Sequence, residues 1–203
     1  MIRDEPEALS YTLFPTGIGR CGIAWRGRSI VATQLPERSD AETKARLLAR
    51  VGNARACDPP FEITRAIDAI AALLDGNQID LSFIDIDLGS VPSLNARVYE
   101  IAREIPPGRT MTYGDIAMRL KDKSLAQAVG LALARNPWPI IVPCHRVVGA
   151  RGKLTGFSAH GGVATKLRIL AIEGTAIGPA PELFEALPLA VKPPSPAKRR
   201  SKT

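Results

Sequence analysis

Two short runs near the start of the chain, CGIAW (21–25) and SIVATQL (29–35), are β-rich and flank Arg26-Gly27-Arg28. They predict strands within residues 11–35, joined by a hairpin turn at the glycine. Ser39 followed by Glu42 is a capping-box signature, and Ala45, Leu48 and Ala49 follow at helical spacing. A second helix is expected over residues 62–75, where Ile63, Ile67, Ile70 and Leu74 share a face and Gly76 stops the turn. FIDIDL (83–88) alternates apolar and acidic residues as a half-exposed strand does. Together these elements make a small α/β unit.

After GSVPS (89–93) the period changes. Leu94, Val98, Ile101 and Ile105 form one helical stripe, terminated by Pro106-Pro107-Gly108. Thr112 can cap a helix running through Leu120, with Asp115 near its positive end. Ser124 can cap another helix, LAQAVGLALAR, reaching about Arg135 before Asn136-Pro137 forces an extended backbone. Two short helices with a tight connection are a helix-turn-helix candidate. The second has an apolar face of Leu125, Val129, Ala132 and Leu133, and small residues elsewhere, among them Ala126, Ala128, Gly130 and Ala134. Small residues let a helix approach DNA or a packed neighbour closely, and taken alone they favour the neighbour. GARGKLTGFSAHGG (149–162) reads as a loop or hairpin. VATKLRILAIEG (163–174) reads as a last helix with Val163, Leu167, Leu170 and Ala171 inward. From Pro179 the chain is a Pro/Ala-rich tail with a basic end, too poor in apolar residues to fold.

Composition narrows the class. The 45% hydrophobic content is that of a globular chain, and no apolar stretch approaches the length of a membrane span. MIRDEPEALS carries acids where a signal peptide carries bases, so export is not expected. Cys21, Cys57 and Cys144 are an odd, widely spaced set that suits a reducing cytoplasm better than a disulfide framework. The net charge of +7 is uneven, at −3 over residues 1–90, +7 over 91–178 and +3 over 179–203. A basic segment of this kind points to a polyanion, although a solvated surface has the same composition.

That basic segment also contains IIVPCHRVVG (140–149), in which Cys144 and His145 are neighbours in a chain with only three cysteines and two histidines. A cysteine nucleophile needs a cation, a helix N-terminus or a base to lower its pKa, and His145 is the candidate base. On an extended strand the two side chains would face opposite ways. Either the chain turns at Cys144, or a water relays the proton. An inert buried thiol is the simpler alternative for any single cysteine. Zinc-ligand spacing is absent, and a papain-like arrangement would have only His160 to draw on.

PCHRVV, preceded by RNPWPIIV and followed by GKLTGFSAHGG and KLRILAIEG, closely resembles the O6-alkylguanine-DNA alkyltransferases, also called methylated-DNA–protein-cysteine methyltransferases. The resemblance is strong over residues 90–176 and weak before them. It implies an α/β N-terminal domain (1–89) with a small ribonuclease H-like sheet and helices. A mostly α, winged helix-turn-helix-like domain would follow over 90–178, then a disordered basic tail over 179–203. The implied activity flips an O6-alkylated guanine out of duplex DNA, reached through the minor groove. The alkyl group then passes to the protein's own cysteine in a single turnover. Cys144 would be the acceptor, His145 the base acting through a water, and Glu173 the carboxylate that orients the imidazole. Tyr113 would donate to the leaving guanine's N3, Asn136 would hold the turn before the active site, and Ser158 would reach the O6 region. The main chain at Cys144 and Val147 would read the base edge. DNA contacts would come from Ala126, Gln127, Ala128, Gly130 and Arg135. The resemblance implies no metal, nucleotide or redox cofactor, and a monomer acting on double-stranded DNA.

This sequence departs from the family pattern at two places. Gln127 stands where the family usually has an arginine that fills the base stack, which predicts weaker DNA binding and slower flipping. The loop FSAHGG is longer than the shortest family versions. A binding protein that senses alkylated DNA without repairing it is the rival reading that Gln127 keeps open, although such relatives lack the cysteine. A helix-turn-helix regulator would need a dimerisation element, and none is evident.

Overall fold

The computed structural model describes residues 8–175. The tail expected over 179–203, and the last residues of the unit expected to end at 178, lie outside the described residues. The chain builds an antiparallel meander of β1 (Ser10–Thr16), β2 (Gly19–Arg26) and β3 (Ser29–Gln34). A short β4 (Arg55–Ala56) pairs parallel with β1, so the sheet order is β3-β2-β1-β4. The expected hairpin is present, with Arg26 opposite Ser29 and Gly27 at φ +57°.

Alternation along β2 sends Cys21, Ile23 and Trp25 to one face and Gly22 and Ala24 to the other. The first set packs beneath α2 (Phe61–Leu74), which contributes Ile63, Ala66, Ile70, Leu73 and Leu74. The opposite face meets α1 (Asp40–Val51) through Tyr11, Ala24, Ala32 and Leu47. Gly17, in the β1–β2 loop, lies against the end of α2. A Cβ there would sit 2.7 Å from the Leu74 carbonyl, so the loop docks only without a side chain.

The second part of the chain is mainly helical, with α3 (Ser93–Arg103), α4 (Tyr113–Arg119), α5 (Ala126–Ala134) and α6 (Val163–Ile172). Among the described residues the only strands here are β5 (Met111–Thr112) and β6 (Val147–Val148), paired in parallel. Thr112 caps α4 as its sequence predicts, and the structure adds the reciprocal bond from Asp115 that makes a complete capping box. The core beneath α2 continues without a break through Val98, Tyr99, Ile116, Val129, Trp138 and Ile169.

Four local expectations are corrected. The inward residues of α1 are Thr43 and Leu47, while Ala45 and Ala49 are exposed. The Thr43 hydroxyl accepts from the Glu37 backbone N–H, which rotates the helix away from its alanine stripe. FIDIDL keeps its alternation, with Ile84 and Ile86 buried, but forms one bridge, Ile30 to Ile86, and no strand. A 3₁₀ turn over Leu88–Ser90 bends it away. The cap ahead of α5 is Asp122, whose carboxylate accepts from Ser124 N at 2.9 Å, with Ser124 inside a 3₁₀ turn. On α6 the buried residues are Lys166, Ile169 and Leu170, while Val163 is 37% exposed and Ala171 is exposed.

Candidate active site

The segment leading to Cys144 is held in an unusual path. Ile140 has φ +78°, which for a β-branched residue is worth about 1–3 kcal/mol of strain. Asn136 offsets it by bracketing the loop. Its Nδ2 donates to Val142 O at 2.8 Å and its Oδ1 accepts from Trp138 N at 2.9 Å. Val142 N also donates to Trp138 O at 2.8 Å, closing the turn. The loop is fastened to the sheet by Trp138 Nε1 to Ile30 O and Thr33 Oγ1 to Pro139 O, both 2.8 Å. The site thus uses the edge of β3 as its anchor.

The chain then turns instead of extending. Cys144–Arg146 is a 3₁₀ turn, with Arg146 N donating to Pro143 O at 2.8 Å. This resolves the question of adjacency, because the two neighbours diverge. Cys144 lines a cavity of about 320 Å³ with Tyr113, Gly130, Leu133, Ala134, Gly156, Phe157 and Ser158. His145 turns the other way and is fully buried. No hydrogen bond joins the thiol to the imidazole among the described residues.

His145 Nε2 donates to Glu173 Oε1 at 2.9 Å. A carboxylate can only accept, so the proton sits on Nε2 and Nδ1 keeps its lone pair. Nδ1 is buried and has no hydrogen-bond partner among the described residues. Glu173 follows α6 and is 2% exposed, not a solvated helix end. It also accepts from Arg146 Nε at 3.0 Å and Arg146 Nη2 at 2.8 Å. Burial raises the Glu173 carboxyl, but the hydrogen bonds and charges of His145 and Arg146 outweigh it and bring the pKa to about 2. For His145 burial dominates over Glu173 and lowers the pKa, so the imidazole is neutral near pH 7.

Burial raises the Cys144 pKa, opposed by the Asn136 amide and the positive charge of Lys166. Lys166 is 1% exposed, and its Nζ donates to Val147 O at 2.6 Å. Cys21 is the contrasting thiol. Burial pushes it up to about 12 against a hydrogen bond from Thr16, and it lines no part of this cavity. Among the described residues, no three His, Cys, Asp or Glu side chains gather as a metal site.

The other expected residues are distributed around this centre. The Tyr113 hydroxyl is 3.0 Å from Thr155 Oγ1 at the cavity wall, and a Cβ on Gly130 would rest 3.8 Å from the Tyr113 ring. Ser158 lines the cavity, and Ala126 and Ala128 are half-buried on α5. Gln127 and Arg135 are exposed, with Leu131 exposed between them. Val147 is fully buried outside the cavity lining, and its carbonyl is engaged by Lys166. Sequence reasoning misses Arg146 and Lys166. Their signal is a charge at an otherwise apolar position, Arg146 within IIVPCHRVV and Lys166 one turn before Leu170.

Residues 93–175 match the family model for the DNA-binding domain of 6-O-methylguanine DNA methyltransferase. The methylated-DNA–protein-cysteine methyltransferase of Methanothermobacter thermautotrophicus is 38% identical over 119 residues, 59% of this chain and 65% of that protein. The match therefore spans just under two thirds of that relative. The Mycolicibacterium paratuberculosis protein of the same name is 41% identical over 56% of this chain and 67% of its own length. Among solved structures, the Mycobacterium tuberculosis O6-methylguanine methyltransferase matches with a TM-score of 0.64 and 30% identity, over 87% of this chain and 99% of that one. The Mycobacterium tuberculosis OGT in complex with DNA matches with a TM-score of 0.62 and 32% identity, over 81% and 93%. With the turn at Cys144, the His145–Glu173 pair and these relatives in agreement, the chain belongs to the methylated-DNA–protein-cysteine methyltransferase family.

Proposed function

We propose that this protein repairs DNA by transferring the alkyl group from O6 of guanine to its own Cys144, once per molecule. The observation that carries the reading is a buried thiol at the wall of a base-sized cavity, followed directly by a buried His–Glu pair. Cys144 attacks the alkyl carbon in line with the departing O6, and its proton passes through a water to Nδ1 of His145. Glu173 fixes the tautomer and supports the imidazolium, and Arg146 keeps Glu173 ionised. Tyr113 protonates guanine N3, so the base leaves without full negative charge. Asn136 holds the strained loop in place. Ser158 reaches O6, and the main chain at Cys144 faces the base edge, whereas the Val147 carbonyl is taken by Lys166 outside the cavity lining. A thioether on Cys144 has no good leaving group, so turnover stops there.

On the same reading α4 and α5 form the helix-turn-helix of a winged unit over residues 90–178. The sheet and its two helices over 1–89 form a ribonuclease H-like unit. Gln127, Arg135, Ala126, Ala128 and Gly130 face the minor groove of duplex DNA, and the protein acts as a cytoplasmic monomer. No helix among the described residues is long and apolar enough to cross a membrane. The sensing alternative is not favoured, because Cys144 is present and lines the cavity. Incubation with a duplex carrying O6-[³H-methyl]guanine tests the reading. Each protein should take one label on Cys144 and none in Cys144→Ala, whereas tight binding without label transfer would overturn it.

A further inference from the structure

A second, smaller recess of about 20 Å³ meets the main cavity at the thiol, sharing Cys144, Phe157 and Ser158 with it. Its outer wall is α1, which presents Arg46 and Arg50 one turn apart, and Gln34 and Asn136 are among the residues that line the rest. Arg46 Nε lies 3.2 Å from Glu37 Oε1, and its Nη2 reaches Ser158 O at 3.4 Å. Arg50 donates through Nη1 to Asn136 O at 2.9 Å and has no carboxylate partner among the described residues. Guanidinium N–H groups are thus left over at the mouth of a space open to the reacting atom.

Two guanidiniums at i and i+4 repel each other. The pKa of Arg50 is lowered, first by burial and next by the charge of Arg46. An anion between them would relieve both costs. The space is roughly that of one or two small polar groups, far too little for a phenyl ring. A carboxylate matches both the size and the planar fork of an arginine.

We propose that this recess receives the far end of the transferred group. Arg46 and Arg50 then make the protein competent for O6-alkyl groups ending in a carboxylate, of which carboxymethyl is the smallest. The inference rests on the alkyl-transfer reading above. In the step itself, Cys144 Sγ bonds to the methylene carbon as the C–O6 bond breaks. The electron pair leaves with O6, guanine takes a proton from Tyr113, and the thiol proton ends on His145. Both residues re-equilibrate with solvent. The products are guanine and S-carboxymethyl Cys144, and no other reactant enters.

The test uses the full chain and three duplexes that differ only in the lesion, O6-methyl-, O6-propyl- or O6-carboxymethylguanine. Single-turnover rates are read from the intact mass of the Cys144 adduct. Wild type should transfer carboxymethyl at least as fast as propyl, its uncharged counterpart in size. Arg50→Gln should lower the carboxymethyl rate about tenfold relative to the methyl rate, the scale of one charge-assisted hydrogen bond. Arg46→Gln should lower that ratio several-fold, and Arg50→Lys should restore part of it. The methyl rate reports folding in each variant, so a general structural loss leaves the ratio unchanged. Unchanged ratios, or methyl and carboxymethyl rates that fall together, would assign the arginines to DNA phosphate or to holding Asn136 and would overturn the proposal. Failure of wild type to transfer methyl would instead overturn the alkyl-transfer reading, and the recess would fall with it.

Discussion

Between the sheet and α2 the chain buries Phe14, Ile23, Trp25, Ile63 and Ile70, whereas beside α6 it buries His145, Arg146, Lys166 and Glu173. The first cluster is stabilised by apolar area removed from water, roughly in proportion to that area. The second must offset the desolvation of its charges by pairing them, and such clusters are often no more stable than an apolar replacement. Its presence is explained by chemistry, since an apolar core at this position could neither orient an imidazole nor oppose the rise in the thiol pKa. The two clusters should therefore respond differently to the same kind of truncation.

Glu173→Ala should have the largest effect. It leaves Arg146 and His145 buried without their acceptor, a loss of about 3–5 kcal/mol. Urea denaturation would measure it, and alkyl transfer by the molecules still folded should be lost as well. Ile70→Ala, at a site 2% exposed, should cost about 3 kcal/mol through the cavity it leaves. Transfer per folded molecule should stay at the wild-type rate, because Ile70 touches neither the thiol cavity nor the buried ion pair. Equal loss of transfer in both variants would erase the proposed division of labour between the clusters.

The same contrast explains what the sequence made legible. β-rich runs located β2 and β3 and apolar periodicity located α2 and α3, because these elements are stabilised by burying nonpolar faces, and the polar Thr112 located the start of α4. On α6 the periodicity placed Leu170 inward correctly but added Val163 and Ala171 and left out Lys166, which occupies a core position that a hydropathy pattern assigns to solvent. The buried ammonium is satisfied by the Val147 carbonyl, 19 residues away, a partner that only the folded chain supplies. Arg146 was overlooked for the same reason, and α1 was rotated by a hydroxyl contact from Thr43. Cys144, His145, Glu173 and Asn136 were legible through the family pattern. That pattern carried no signal for Arg46 and Arg50, which reach the site from α1.

Acidification should separate the clusters next. The folded pKa of His145 lies below its ordinary 6.5, so the unfolded chain takes that proton more readily. The contribution of His145 to stability is therefore full above about pH 6.5 and declines below it. Glu173, at about 2 against 4.5, contributes fully above pH 4.5 and loses that contribution as pH falls toward 2. Thermal melts from pH 8 to 3 should show both stages in wild type. In Glu173→Gln the lower stage should shrink, whereas Ile70→Ala should shift the whole profile downward without changing its shape. Lys166→Met should be milder for stability, at about 1–2 kcal/mol or less, since it replaces a buried ion with an apolar chain of similar length. Its mark is on the thiol. Without the ammonium charge the Cys144 pKa rises further, so the pH profile of iodoacetamide alkylation at Cys144 should move to higher pH.

The smallest effect belongs to the surface that neither cluster reaches. Gln127 is exposed on α5, in line with exposed Leu131 and Arg135, so Gln127→Arg should leave stability within about 0.5 kcal/mol. An arginine there adds one positive charge where the helix is proposed to meet the minor groove. DNA affinity should rise several-fold at low salt, and the slope of log K against log salt should steepen by about 0.9. Transfer from O6-methylguanine should quicken if base flipping limits it. The two readouts separate attraction from insertion. A steeper salt slope with no change in rate would mean that position 127 meets phosphate alone, whereas no change in either would remove α5 from the DNA interface.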